Sequence, residues 1–208
     1  MKSYSLKQLN KSFLGAIIFT IILAVFGGML MFFYAKHKQQ TTYTAERYVL
    51  VSHNVMDSQD KDYPVTNADL NMMSSYEDIA ENKIIAENAK KYLSKKINKK
   101  YTADNISNSV SAKSKPQSLV LKISVKTGNE KNSVDIVNAV AKSFQNELPK
   151  LQPGAGEVHL LAKASNSSVE TTTTPNKKKY FAVGVALGGL LGIVISFIAI
   201  TWKKILNK

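Results

Sequence analysis

The 208-residue sequence contains no cysteine, which excludes disulfide bonds, thiolate nucleophiles and cysteine-ligated zinc. Acidic residues are also scarce, because 15 Asp and Glu stand against 28 Lys and Arg. Any folded part of the chain must therefore be held by a packed core and not by covalent or metal cross-links.

Motifs that would indicate an enzyme are also missing. There is no Gly-x-x-x-x-Gly-Lys-Ser/Thr phosphate loop, so the chain is not expected to be a nucleotide-dependent kinase. Ser58 and Lys61 match the Ser-x-x-Lys pattern of penicillin-interacting enzymes, but without its companion motifs we interpret the match as chance. His37, His53 and His159 lack metal-ligand spacing. We expect no catalytic residue, no cofactor and no metal.

Charged residues and histidine are absent from two stretches, residues 13–35 and 180–202, each 23 residues long. At about 1.5 Å per residue, each would form a helix of roughly 34 Å, enough to cross a hydrocarbon core of about 30 Å. Both are predicted to be transmembrane helices. A cleaved signal peptide is the alternative for the first stretch, but its apolar run exceeds the usual h-region of about 7–15 residues. An uncleaved anchor is therefore favoured.

Lysines outside the two spans suggest an orientation. The tails, residues 1–12 and 203–208, contain no acid and carry Lys2, Lys7, Lys11, Lys203, Lys204 and Lys208. Because basic tails tend to stay in the cytoplasm, both termini are predicted to be cytoplasmic and the central region extracytoplasmic, in a cell-membrane protein with two spans. Lysines on the other side of each span weaken this signal: Lys36, Lys38, Lys177, Lys178 and Lys179.

Residues 166–179 are predicted to be a linker that returns the chain to the membrane. Threonines 171–174 cannot bury apolar area, and Pro175 prevents a regular helix from continuing through them. Basic residues can hold lipid phosphates while aromatic rings lie at the interfaces, and the membrane-interface anchors predicted on this basis are Lys177, Lys178, Lys179, Tyr180 and Trp202.

Glycines recur within the second span. Small residues at four-residue spacing let two transmembrane backbones approach closely, which predicts a helix–helix contact at Gly184, Gly188, Gly189 and Gly192. The alternative is that glycine is simply common in such helices. The first span has only Gly15, Gly27 and Gly28, so the second is the better candidate.

The region between the spans, residues 36–165, is long enough for one domain. A run rich in β-branched and aromatic residues predicts a strand at residues 43–53. Alternating apolar residues predict further strands at residues 119–126 and 158–164, and Val110 and Ala112 on one side indicate a fourth at residues 107–113. Three- and four-residue spacing predicts helices over residues 70–93 and 137–148. Asn67 or Asp69 would cap the first helix and Pro149 would end the second, while a break near Asn82 is left open. The order predicts an α+β domain with a four-stranded sheet covered by helices.

A group of lysines near the end of the first helical region is the most distinctive charge feature: Lys90, Lys91, Lys95, Lys96, Lys99 and Lys100. One interpretation is a surface for an anionic glycan, a lipid-linked pyrophosphate or phospholipid headgroups, with Arg47 as a second candidate contact. The favoured alternative is a solvated helix end in which Glu87 pairs with Lys91. Nucleic acid is not expected as a partner, because these lysines are predicted outside the cytoplasm and without interleaved aromatic residues.

Taken along almost the whole chain, these segments resemble the Wzz-type chain-length determinants, or polysaccharide co-polymerases, of the Gram-positive capsular or exopolysaccharide branch. The resemblance rests on the basic tail with the first span and on YTAERYVLVSHN, ADLNMMSSYEDIAENKIIAENAKKYL, LVLKISVKTGNEKNSVDIVNAVAKSFQNELPKL, VHLLAKAS and NKKKYFAVGVALGGLLG. It implies a non-catalytic regulator of polymer length.

The resemblance also implies partners. It suggests a ring-like homo-oligomer acting with a polysaccharide polymerase on a lipid-linked glycan or growing polysaccharide. A separate cytoplasmic tyrosine kinase would contact Lys203, Lys204 and Lys208. The chain departs from the pattern by keeping only Pro175 in its linker and by having a short tail after Trp202, which puts kinase contact in doubt. A two-span sensor or adaptor that binds a cell-wall component is the alternative function.

Overall fold

The computed structural model describes residues 6–53 and 65–206, with side chains for residues 13–53 and 69–202. The chain divides into two units, one formed by its terminal segments and the other by Thr41–Thr172. The terminal unit consists of two long helices, α1 (Leu6–Lys38) and α7 (Lys177–Leu206), packed against each other.

Both terminal helices contain a segment long and apolar enough to cross a membrane, Phe13–Lys38 in α1 and Lys177–Trp202 in α7. Each helix extends beyond its predicted uncharged span into flanking lysines, which are good helix formers. Asn176 caps α7, because its side-chain oxygen accepts hydrogen bonds from the backbone N–H groups of Lys178 and Lys179 at 3.0 and 3.4 Å.

The central unit contains five strands and five helices among the described residues. In chain order they are β1 (Gln40–Ser52), α2 (Val65–Glu81), α3 (Lys83–Ala89), α4 (Lys95–Lys100), α5 (Ala103–Ser107), β2 (Val110–Ser114), β3 (Val120–Thr127), α6 (Glu130–Leu151), β4 (Glu157–Leu160) and β5 (Glu170–Thr174). Single 3₁₀ turns lie at Lys90–Tyr92 and Asn166–Ser168. The predicted α+β class is confirmed.

The sheet has the order β2-β3-β1-β4, and β5 also pairs with β1. Its four antiparallel members were predicted, whereas β5 lies in the stretch expected to be a linker. The threonines of β5 explain the difference, because β-branched side chains fit a strand even when they bury little apolar area. The sheet therefore has five strands instead of four.

The core lies on one face of this sheet. β1 and β3 are antiparallel, with Val49 opposite Leu121, and both side chains are fully buried. From the helices, Tyr76, Phe144 and other fully buried side chains pack into the same cluster. The alternation seen in the sequence therefore identified the buried face correctly.

The structure settles one helix boundary that the sequence left open and differs from the prediction at two others. The first helical region breaks at Asn82, whose Oδ1 accepts the N–H of Ile84 at 3.0 Å and thereby starts α3. α2 already includes Asn67 and Asp69, so neither residue is its N-cap. α6 continues past Pro149 to Leu151, since a proline in the last turn removes only one helical hydrogen bond.

Two predicted strands were too long. Residues 107–109 lie outside β2, because Ser107 ends α5, and residues 161–164 lie beyond the end of β4. The short helices α4 and α5 were not predicted, because six and five residues are too few to show a helical period. Their caps, Ser94 and Thr102, were the available signal.

Helix side chains bond backbone groups of the outer strands β2 and β4. At the β2 edge, Glu81 accepts the N–H of Ala112 at 2.8 Å, and Glu77 accepts the N–H of Ser114 at 2.6 Å. At β4, the side-chain amide of Gln145 donates to the carbonyl of Val158 at 2.7 Å. These contacts satisfy edge groups that would otherwise be open to strand addition.

Candidate functional site

Glycines bring α1 and α7 into backbone contact. A Cβ added at Gly188 would overlap the carbonyl oxygen of Leu23, and one added at Gly184 would overlap the carbonyl oxygen of Gly27. Only residues without a side chain allow this approach. The structure thus places these glycines against the other helix of the same chain, and contact with other copies or with a polymerase stays a prediction.

The remaining predicted glycines differ from each other. A Cβ at Gly192 would lie 2.8 Å from the Cα of Thr20, whereas a Cβ at Gly189 would lie 3.8 Å from the Cβ of Ala24. The first distance is a clash with backbone, and the second is ordinary van der Waals contact. Gly189 therefore lies at the margin of the helix contact.

Two glycines of α1 belong to the same contact and were not singled out from the sequence. A Cβ at Gly27 would lie 2.6 Å from the carbonyl oxygen of Gly184, and one at Gly28 would lie 2.7 Å from a methyl group of Val185. The adjacent glycine pair was the available signal.

Hydroxyl groups lie at the same helix contact. Thr20 Oγ1 donates to the carbonyl of Ala16 at 2.8 Å and lies 3.5 Å from Ser196 Oγ. Ser196 Oγ also donates to the carbonyl of Ala16 at 3.4 Å, which links the two helices. In a hydrocarbon environment, polar groups on a helix need such internal partners.

The predicted interface anchors lie at the two ends of the apolar part of α7. Its first turn holds Lys177, Lys178 and Lys179, and the ring of Tyr180 stacks on that of Tyr34 with centroids 6.4 Å apart. At the other end, Trp202 is 64% exposed. The kinase contact stays a prediction, because the side chains of Lys203 and Lys204, and all of Lys208, lie outside the described residues.

The six lysines proposed from the sequence lie on consecutive short elements, and we call them the lysine patch: Lys90, Lys91, Lys95, Lys96, Lys99 and Lys100. The first two lie on the 3₁₀ turn and the other four on α4. Ser94 caps α4, and the side-chain amide of Asn98 donates to the carbonyl of Lys90 at 3.1 Å. These contacts hold the two elements together.

Positive charge in the lysine patch is not balanced locally. Within the described residues, no carboxylate forms an ion pair of 4.0 Å or less with any of the six ammonium groups. Lys91 Nζ donates to Asn88 Oδ1 at 2.5 Å and not to Glu87, so the expected helix pair is not formed. The patch therefore presents a field of one sign.

Aromatic rings lie among these lysines, contrary to the sequence interpretation. Tyr92 is 47% exposed, and its hydroxyl accepts a hydrogen bond from the amide of Asn146 at 2.6 Å. The ammonium group of Lys100 lies 5.4 Å from the ring centroid of Tyr101. Tyr92 and Tyr101 therefore lie next to patch lysines, and the expectation that no aromatic residue interleaves with them is wrong.

Arg47 is the only arginine in the sequence, and it lies on the core face of β1. Its Nη1 donates to Asn138 Oδ1 at 3.1 Å, and its Nε is buried without a hydrogen-bond partner within the described part of the chain. Burial lowers the pKa of Arg47. Asn138 Oδ1 also accepts the N–H of Ala164 at 3.1 Å, so Arg47 joins a contact between β1, α6 and the segment after β4. Its polymer contact stays a prediction.

A buried polar cluster joins the end of β1 to α2. Asp69 accepts hydrogen bonds from the backbone N–H of His53 at 3.0 Å and lies 2.9 Å from His53 Nδ1. Burial raises the pKa of Tyr76, and the charge of Asp69 raises it further. Asp69 thus ties two elements together instead of capping a helix. Among the described residues, no group of three or more His, Cys, Asp or Glu could hold a metal ion.

An ion pair lies on the opposite face of the sheet from the core. Glu46 accepts hydrogen bonds from Lys122 Nζ at 2.9 Å and from the Tyr48 hydroxyl at 3.0 Å. Burial raises the pKa of Glu46, but these hydrogen bonds and the charge of Lys122 together outweigh burial and lower the pKa below its ordinary value. The pair braces β1 against β3.

Comparison with known proteins finds relatives along nearly the full chain, although no model of a protein family matches. A capsular polysaccharide biosynthesis protein, CapA, of Staphylococcus aureus strain COL is 24% identical over 203 residues, covering 98% of this chain and 85% of the relative. The type 5 capsular polysaccharide biosynthesis protein of Staphylococcus aureus strain Newman is 23% identical over 200 residues, covering 96% and 83%. The type 8 protein of Staphylococcus aureus is similar to the same extent. The chain is thus similar from end to end to proteins named for capsule biosynthesis.

Proposed function

We propose that this chain acts in capsular or exopolysaccharide biosynthesis as a non-catalytic membrane regulator that controls the length of the polymer. The observation that carries the proposal is the end-to-end similarity to capsular polysaccharide biosynthesis proteins. The similarity covers both apolar helices and the domain between them, so it concerns the whole architecture.

The architecture supports a role at the membrane. Two helices long enough to cross a bilayer flank one α+β domain, an arrangement that tethers the domain at both of its ends. In the proposed topology, residues 1–12 and 203–208 are cytoplasmic, the spans are residues 13–35 and 180–202, and the domain of residues 36–165 with its linker is extracytoplasmic. The basic tails support this orientation.

The proposed partners follow from this arrangement. A polysaccharide polymerase would meet the protein in or near the membrane, and the extracytoplasmic domain would meet the lipid-linked glycan or growing polymer. Further copies of the chain would form a ring-like homo-oligomer. A cytoplasmic tyrosine kinase is a further proposed partner, through Lys203, Lys204 and Lys208.

The absence of catalysis is part of the proposal. Two of the described carboxylates with buried or half-buried surroundings lie in structural pairs, Glu46 with Lys122 and Asp69 with His53. Length control needs no bond-making group in this chain, because the polymerase would carry out the chemistry.

The test is the size distribution of surface polysaccharide in a producing strain that lacks this gene and any redundant copy. Restoration with the native chain should return the original length, whereas Gly188→Leu should fail if the helix contact is needed. Gly189→Ala is the matched control, because its added Cβ makes only ordinary contact. Unchanged polymer length and amount after deletion would overturn length control and favour the sensor or adaptor function.

A further inference from the structure

Residues 88–103 contain six lysines and no acid, which sets this surface apart from the rest of the domain. The nearest acids along the chain are Glu87 and Asp104, and Asp104 already accepts Lys83 Nζ at 2.9 Å. Some lysines elsewhere in the domain have acidic partners, such as Lys122 with Glu46 and Lys150 with Glu147, whereas none of the six patch lysines forms an ion pair among the described residues. The positive charge of the lysine patch is therefore available to a ligand.

The lysine patch lies on capped helical elements that are anchored in the core, and not on an irregular loop. Asn82, Ser94 and Thr102 cap the three consecutive helices α3, α4 and α5. Ile97 of α4 is only 6% exposed and belongs to the core cluster, which anchors the element that carries four of the lysines. Ordering such a surface in advance reduces the entropy lost when a ligand binds.

The Tyr92 ring adds a feature that a purely electrostatic surface lacks. It is 47% exposed and its hydroxyl is fixed by Asn146, so the ring is presented to solvent in a defined position. The face of an aromatic ring is electron-rich and attracts the C–H groups on the face of a sugar. A sugar that bears a carboxylate has both a C–H face and a negative charge. The face can stack on the Tyr92 ring while the carboxylate binds the neighbouring lysines.

We propose that the lysine patch and the Tyr92 ring form a binding surface for an anionic polysaccharide that carries carboxylates on its sugar rings. The proposal rests on the proposed function and names the chemical class of the polymer that the domain meets. A lipid surface fits less well, because helices that bind membranes insert an apolar face, and the apolar residue of α4, Ile97, is buried.

The test uses the full-length protein in nanodiscs of neutral lipid and a fluorescent polyuronate of defined length. The triple variant Lys95→Gln, Lys96→Gln, Lys99→Gln should bind about tenfold more weakly, since exposed ion pairs are individually weak but add up. The matched control, Lys115→Gln, Lys126→Gln, Lys163→Gln, removes the same charge from exposed positions outside the patch and should change binding by less than about twofold.

A second pair of variants tests the ring. Tyr92→Phe keeps the aromatic face and should retain binding, whereas Tyr92→Ala removes the face and should weaken it. Circular dichroism of each variant establishes that the fold is kept. A neutral dextran of equal length should not bind.

Three outcomes would overturn the inference. Equal losses of polyuronate affinity in the two triple variants would mean that binding depends only on the net charge of the protein and not on the lysine patch. Binding to phosphatidylglycerol vesicles without binding to polyuronate would assign the patch to a lipid surface. Equal binding by Tyr92→Ala and the native chain would remove the sugar-stacking element. Polyuronate binding is measured in vitro, so it can succeed even if deletion of the gene leaves polymer length unchanged.

Discussion

The helix pair and the central domain achieve close packing by opposite means. In the helix pair, contact depends on the lack of a side chain at Gly184 and Gly188, where backbone meets backbone. In the domain, contact depends on large side chains such as Tyr76 and Phe144, which fill the space between helices and sheet. Both regions must pack without large voids. This requirement makes small residues essential in the helix pair and large residues essential in the domain.

The strongest test of this contrast removes a large side chain from the domain. Phe144 is fully buried in the core, so Phe144→Ala should lower the free energy of unfolding by about 3–5 kcal/mol. Urea unfolding of the full chain in detergent, followed by far-ultraviolet circular dichroism, measures the change. Leu161→Ala is the control, because Leu161 is exposed and its loss should cost less than about 0.5 kcal/mol. Equal costs for both variants would contradict the assigned core.

The complementary experiment adds a side chain to the helix pair. Because the sequence has no cysteine, Ala24→Cys with Gly189→Cys introduces one unique pair. The Cβ positions lie 3.8 Å apart, close to the mean of about 3.8 Å found in disulfides. Oxidation in membranes should give a cross-linked monomer. Adding Gly188→Leu should abolish the cross-link, because the new side chain would collide with the backbone of α1.

The control for that experiment is Gly15→Ala, since a Cβ at Gly15 meets nothing within 4 Å. This variant should leave the cross-link intact. A disulfide-linked dimer in place of a cross-linked monomer would show that the glycine face serves contacts between copies. That result would replace the intramolecular contact described above.

The β2 edge of the sheet provides a third comparison, among three acids on one helix. Glu77 and Glu81 bond the β2 edge, whereas Asp78 of the same helix is exposed. Glu77→Ala with Glu81→Ala should cost about 1–3 kcal/mol, because edge N–H groups lose their partners, and should promote self-association. Asp78→Ala should do neither. Thermal unfolding and light scattering measure the two effects, and a monodisperse, equally stable double variant would contradict the edge-covering role.

Sequence patterns predicted those features that repeat over many residues. The uncharged spans, the alternation in β1 and β3 and the apolar stripe of α6 all extend over several periods, so each appears in the final fold. The short helices α4 and α5 do not reach two full turns and gave no periodic signal. A periodic pattern of apolar residues identifies a helix or strand only when the element spans several periods of 3.6 or 2 residues.

Partners in three dimensions were the harder part of the candidate site. The glycine spacing in α7 indicated a contact but not its partner, which is the backbone of α1 at Thr20, Leu23 and Gly27. Asp69 had the composition of a helix cap, yet its carboxylate bonds His53 across the fold. Tyr92 falls within the helix predicted over residues 70–93, although its ring is half exposed on the 3₁₀ turn beside the lysine patch. Each case depends on tertiary neighbours that no local window contains.

The smallest expected effect concerns pH and again separates the two regions. Burial raises the pKa of Glu77, but hydrogen bonds from Ser114 and the nearby charge of Lys113 lower it below the ordinary 4.5, and Glu46 is lowered likewise. A carboxyl group whose pKa is lower in the folded state stabilises the fold above its unfolded pKa. That contribution is lost as the pH falls from about 4.5 through the lowered folded value.

Unfolding of the domain should therefore become easier over this acidic range. The Ala24–Gly189 cross-link should not change, because the residues that meet around it are Thr20, Leu23 and Gly188, which do not titrate at acidic pH. Glu77→Gln should flatten the pH dependence of the domain's unfolding temperature. If the unfolding temperature falls equally steeply with pH in Glu77→Gln and in the native chain, Glu77 does not contribute to the loss of stability in acid. A cross-link yield that changes with pH would show that the two regions are coupled. Protonation of carboxylates in the domain would then alter the distance between α1 and α7.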